Sequence, residues 1–141
     1  TNSYFNTSIF GIPSGYDVTN GSYLGWCVDL NHFLTPGVTY NASLYLSIDE
    51  NLSSKCPHCV NQNWTYVNYI LNHKQGNSSD IQSAIHFFIG GGTYPQGSLP
   101  RALIGNATQY GSSFKPQKGD MVALIIDINN KTQQTIIEID P

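Results

Sequence analysis

The chain has 141 residues, of which only 11% are charged, and a formal net charge of −3. That length suits a single domain, here 1–141, able to bury roughly two-thirds of its unfolded surface. The sparse charge and the lack of a basic patch exclude nucleic-acid binding, and no apolar run approaches the about 20 residues of a membrane span.

In chain order, residues 1–15 are polar and contain Gly11, Pro13 and Gly15. They are expected to form a loop or an edge strand, exposed or available as a donor strand to a neighbouring copy. No leader is visible before "TNSYFNTS", so the opening reads as a processed or trimmed start. "SYLGWCVDL" (22–30) and "VTYNASLYLSID" (38–49) are rich in β-branched and aromatic residues and are predicted strands, with a turn at "TPG" (35–37). From Asn61 the apolar period becomes helical. Trp64, Val67, Ile70 and Leu71 predict a helix over about 62–74, ending near Gly76. A second helix over 79–89 places Ile81, Ala84, Ile85, Phe88 and Ile89 on one arc, with Gln82 at its rim and His86 just beyond. "SLPRALIGNATQYG" is ambiguous, with a short helix as one reading. "DMVALIIDI" and "QTIIEID" flank "NNKTQ" and read as a closing hairpin. Strands, then helices, then strands predict an α+β domain: an antiparallel sheet or sandwich with a central helical insertion.

The strongest compositional signal is the sequon. Asn-x-Ser/Thr occurs at Asn6, Asn20, Asn41, Asn51, Asn63, Asn77, Asn106 and Asn130, eight of fourteen asparagines. With 24 Ser and Thr in the chain, chance would give about two or three. An exported, N-glycosylated, extracellular or cell-surface protein is expected, its glycans supplying solubility that charge does not.

Three cysteines leave one over. Cys56 and Cys59 in "KCPHCV" are close enough to bridge each other, and a local disulfide is the expected state. The same spacing occurs in thiol oxidoreductases, but the βαβ context is missing. Val60 stands where haem attachment needs histidine, and His73 and His86 lack the pairing a zinc site uses, so neither a metal nor a cofactor is expected. Cys27 is then unpaired, or bridges to Cys56 or Cys59 instead. As a lone strand cysteine it reads first as a small buried hydrophobe. Alternation puts it with Asp29 on one face and Trp26 with Val28 on the other. The Asp29 carboxylate would raise its pKa, against an ordinary nucleophile.

"SDIQ" (79–82) matches a capping box, with Ser79 as the cap and Gln82 reaching back to its N–H. The sharper reading is that Gln82 meets Cys27. A thiolate attacking a carboxamide in near-attack contact expels ammonia and leaves an internal thioester. Trp26, Phe87 and Phe88 are candidates to shield it from water, and His86 to shuttle the proton.

"GWCVD" followed by "IQSAI", with "YNASLYLSID" and "VNYILNHKQG" between, resembles the thioester domains of bacterial cell-surface adhesins over roughly residues 16–92. That resemblance implies that Cys27 and Gln82 are the bond-forming pair and that the partner is a surface amine or a protein on a host or neighbouring cell. His86 stands where the family carries tryptophan. The alternative is a non-reactive structural subunit of an extracellular filament or surface layer, whose partners are copies of itself joined by strand addition. No anchor or sorting tail is visible for a lone adhesin head. The scattered carboxylates Asp17, Asp29, Asp49, Glu50 and Asp80 form no hydrolytic motif, and "GGGTYPQG" lacks the context of a phosphate loop. An enzyme that turns over is not expected.

Overall fold

The computed structural model describes residues 3–128 and 132–141. Five strands lie there: β1 (Phe5–Ile9), β2 (Gly21–Cys27), β3 (Ser43–Leu46), β4 (Val122–Asp127) and β5 (Thr135–Ile139). Between β3 and β4 come the helices α1 (Leu52–Lys55), α2 (Trp64–Asn72), α3 (Ser78–Phe88) and α4 (Ser98–Tyr110), with a 3-10 turn at Pro57–Cys59. The strands form one antiparallel sheet in the order β1-β2-β5-β4-β3. The expected α+β class therefore holds, with a single sheet and the helices in the middle of the chain.

The strand order follows from which strands are apolar on both faces. "VALIID" and "TIIEI" are almost wholly buried runs and occupy the centre of the sheet, as strands covered on both sides must. β1 alternates half-buried and exposed and takes one edge, while the short β3 takes the other. The turn at Thr35–Gly37 forms, with Val38 N–H donating to Thr35 O at 3.3 Å, but β2 and β3 end up at opposite sides of the central pair. Of the strand predicted over 38–49, only Ser43–Leu46 pairs.

On one face Trp26, Ala123, Ile125 and Ile136 pack under α2, α3 and α4 against Val67, Ile70, Leu71, Ile81, Ala84, Ile85, Leu103 and Ala107. Each fully buried aliphatic side chain here stabilises the fold by about 1.5–3 kcal/mol. The ambiguous 98–111 stretch resolves as α4 because its Leu103, Ile104 and Ala107 complete this core. The other face carries Leu124, Ile126, Ile137 and Ile139 and is covered by the segment containing Ile9, Ile12 and Val18. The N-terminal segment thus supplies β1 to its own sheet and then folds over that sheet's second face. Among the described residues, no helix is long and apolar enough to cross a membrane.

Two asparagines of α2 show how the helical layer holds the sheet. Asn68 Oδ1 accepts from Ala123 N–H at 2.8 Å. Asn72 clamps one residue twice, its Oδ1 accepting from Met121 N–H at 2.7 Å and its Nδ2 donating to Met121 O at 2.8 Å. Backbone groups at the start of β4 are satisfied by carboxamides of the helix above.

Asn6, Asn20, Asn41, Asn51 and Asn77 are exposed, Asn63 and Asn106 are half-buried, and Asn130 lies outside the described residues. Asn63 also spends its Nδ2, the atom a glycan would modify, on Phe88 O at 2.7 Å. Glycopeptide mapping of protein from its natural source is expected to find Asn63 unmodified while the exposed sequons carry glycans. Full occupancy at Asn63 would contradict the packing of α2 against the end of α3.

Candidate functional site

α3 is capped two residues earlier than the sequence predicts, and this changes the role of Gln82. Asn77 is the cap: its Oδ1 accepts from Asp80 N–H at 2.9 Å, and Asp80 Oδ2 accepts from Asn77 N–H at 3.0 Å. The capping box is Asn77 with Asp80, so the expected box of Ser79 with Gln82 is corrected. With the first turn satisfied by those two, Gln82 is free to point inward, and it is buried.

What it meets is Cys27. Cys27 N–H donates to Gln82 Oε1 at 2.9 Å, and Gln82 Nε2 donates to Cys27 O at 2.8 Å. The register explains the vacancy it fills. β1 pairs with β2 only as far as Gly25, so the N–H and C=O of Cys27 on that side have no strand to bond. Gln82 completes the ladder at the place where Ser3 would stand if β1 ran two residues further. The geometry repeats the clamp of Asn72 on Met121, but here the clamped residue carries a thiol.

Cys27 is the free cysteine; Cys56 and Cys59 are joined to each other, as expected. The Cys27 side chain is almost fully buried. Its Sγ donates to Asp29 O at 3.1 Å and accepts from Gln133 Nε2. Burial pushes the thiol pKa up, and the nearby Asp29 carboxylate adds to that; the contacts with Asp29 O and Gln133 oppose it in part. The resting form is therefore the thiol. Burial also works against ionisation of Asp29, but the N–H of Asn31, the His32 ring and the N–H of Gln134 together hold its carboxyl below the usual range. His32 Nδ1 lies 2.7 Å from Asp29 Oδ2.

His86 sits one turn beyond Gln82, half-buried, and its Nδ1 is buried with no hydrogen-bond partner among the described residues. Burial lowers its pKa, so the ring is neutral near pH 7. The glycines after α3 close on it. Gly90 has φ +90°, and a Cβ there would stand 2.8 Å from Val28 O and 3.1 Å from His86 Nδ1. A glycine is required for the chain to pass between the imidazole and the residue that follows Cys27.

The expected shielding residues are placed differently from one another. Trp26 is fully buried under the helices, its Nε1 donating to Glu138 Oε2 at 2.8 Å. Phe88 stacks on Tyr66 with centroids 4.7 Å apart, while Phe87 is partly exposed and packs edge-on against Phe88 and Tyr94. Gln133 joins the site without being foreshadowed in the sequence. It stands 106 positions from Cys27 in the "TQQT" run before β5, and nothing local marks it as a partner of the thiol.

Beside this centre is an open cavity of about 420 Å³, lined among others by Asp29, His32, His58, Asp127 and Gln134. Comparison with protein-family models, curated proteins and solved structures finds no match for the chain.

Proposed function

We propose that this is an exported, N-glycosylated cell-surface protein with a thioester-domain-like fold, in which Cys27 and Gln82 form an internal thioester that an amine on a target surface opens. The observation that carries this reading is the buried, two-bond contact between the Gln82 carboxamide and Cys27. The density of sequons supports the location.

In the proposed reaction the thiol leaves Asp29 O, gives up its proton, and its sulfur attacks Cδ of Gln82. A carbon–sulfur bond forms and the bond from Cδ to Nε2 breaks. Nε2 takes the proton and departs as ammonia. Cys27 N–H, already on Oε1, stabilises the charge that develops on that oxygen. The neutral His86 imidazole is the base assigned to carry the proton, and burial keeps water from hydrolysing the product. A primary amine then attacks the same carbon, forming an amide and returning Cys27 as a thiol. The bond is used once, so the protein is an adhesin and not a turnover enzyme.

The non-reactive reading has its own support in Asn72, which makes the same clamp on Met121 with no chemistry at all. On that reading Gln82 is a structural pin in a filament or surface-layer subunit. Incubation with a biotinylated primary amine separates the two. One label per chain at Gln82, lost in Cys27→Ala and in Gln82→Ala, is expected. An unlabelled native protein would leave Gln82 as a pin.

A further inference from the structure

Cys56 and Cys59 lie far in sequence from Asp127, yet the fold brings them together with His58. One donor atom from each of Cys56, His58, Cys59 and Asp127 lies within 4.8 Å of all the others. His58 Nε2 is 2.8 Å from Asp127 Oδ1, and Cys56 Sγ is 3.5 Å from that same nitrogen and 4.0 Å from Asp127 Oδ2. Four donors around a tetrahedral zinc ion, with bonds of about 2.0–2.3 Å, stand about 3.2–3.9 Å from one another. We propose that, when the Cys56–Cys59 disulfide is reduced, these four residues form a zinc site. This inference is independent of the thioester reading.

The donor set suits the ion. Two thiolates and an imidazole select zinc over the harder divalent cations, and one carboxylate completes four-coordination. In the sequence, His73 and His86 are the candidates for further ligands. The fold instead supplies His58 from between the cysteines and Asp127 from the end of β4.

The surroundings support a built site. Gln134 Nε2 lies 3.6 Å from Cys59 Sγ and 3.4 Å from Asp127 Oδ1, placed to donate to a ligand's sulfur and oxygen. Trp64 Nε1 donates to Cys59 O at 2.9 Å, tying the cysteine turn to α2. The open cavity reaches His58, Cys59 and Asp127, so an ion has a path from solvent.

The exchange balances with a dithiol as reductant. The sulfur–sulfur bond takes two electrons and two protons to give two thiols, and the dithiol becomes a cyclic disulfide. Zinc then displaces both thiol protons and binds the two thiolates, neutral His58 and ionised Asp127. The reverse exchange, in which the cyclic disulfide takes up two electrons and two protons to become the dithiol again, expels the ion and restores the Cys56–Cys59 bond. The segment is thus a switch between a disulfide closed within the turn and a metal site that also ties the turn to Asp127 at the end of β4.

The test uses cobalt(II) as a spectroscopic probe and zinc as competitor, with the full chain reduced by a non-chelating phosphine. Reduced protein is expected to bind one cobalt per chain, with thiolate charge-transfer and tetrahedral d–d bands that zinc abolishes; oxidised protein shows neither. Cys27→Ser should bind like the parent. His58→Ala and Asp127→Asn should each lose about 10-fold or more in affinity. If reduction unfolds the chain, zinc is expected to restore its far-ultraviolet dichroism. Parent-like affinity in both His58→Ala and Asp127→Asn would reduce the site to a simple dithiol chelate and overturn the proposal. So would reduced protein that takes up no cobalt, or that zinc cannot refold.

Discussion

In a Cys27→Ser background, Gln82→Ala is expected to lower the unfolding free energy by about 2–4 kcal/mol. The serine removes thioester chemistry but leaves the backbone clamp, because both of Gln82's bonds go to main-chain atoms of residue 27. Without the carboxamide, a buried N–H and a buried C=O lose their partners together. Each such group costs about 1–3 kcal/mol when it cannot reach water. β1 cannot take over, since its pairing stops at Gly25. Gln82→Met in the same background fills the volume without restoring either bond, so it should recover little. Equilibrium urea denaturation measures all three. A loss under about 0.5 kcal/mol would mean that water satisfies Cys27 and that Gln82 is not the end of the β2 ladder.

Lys74→Met is expected to destabilise by a similar or larger amount, about 2–4 kcal/mol, for an electrostatic reason. Glu138 sits in β5 between two buried isoleucines, with its side chain 1% exposed. One oxygen accepts from Lys74 Nζ at 2.7 Å and the other from Trp26 Nε1 at 2.8 Å. Removing one partner of a buried pair leaves the other charge uncompensated, at a cost of about 3–5 kcal/mol. Lys74 is partly exposed, so incoming water recovers some of that. The double variant Lys74→Met with Glu138→Gln keeps an acceptor for the indole and removes the stranded charge. It should regain most of the lost stability. Thermal and urea unfolding of the single and double variants check this, and additive losses would show that the ion pair is not the cause.

The fold was legible where burial imposes a period. The helical spacing of Trp64, Val67, Ile70 and Leu71 and the apolar runs of β4 and β5 placed those elements to within a few residues. The sheet order was less legible. Strands β2 and β3 are neighbours in sequence but are separated by the two strands that close the chain. The cap of α3 lies two residues before the expected Ser79, because Asn77, Ser78 and Ser79 are all good caps and the pairing of Asn77 with Asp80 decides among them. Those two positions move Gln82 from a capping role to an inward one.

The juxtaposition of Cys27 with Gln82 was legible as chemistry, in that a thiol and a carboxamide are the two halves of a thioester. The thiol's other partner, Gln133, was not, since a side chain 106 residues away leaves no periodic trace. The set of Cys56, His58, Cys59 and Asp127 was half legible for the same reason. "KCPHC" gathers three donors locally, while the fourth arrives through the pairing of the last strands.

A peptide map of native protein tests for the covalent bond between Cys27 and Gln82. Non-reduced protein would be digested quickly at mildly acidic pH, which slows thioester hydrolysis and exchange. Cleavage after Lys55, Lys74 and Arg101 puts Cys27 in residues 1–55 and Gln82 in residues 75–101. These two peptides are expected to be joined, lighter than their sum by one ammonia, and separated by methylamine. Two separate peptides, with Gln82 as an unmodified amide and Cys27 as a free thiol, would contradict the bond.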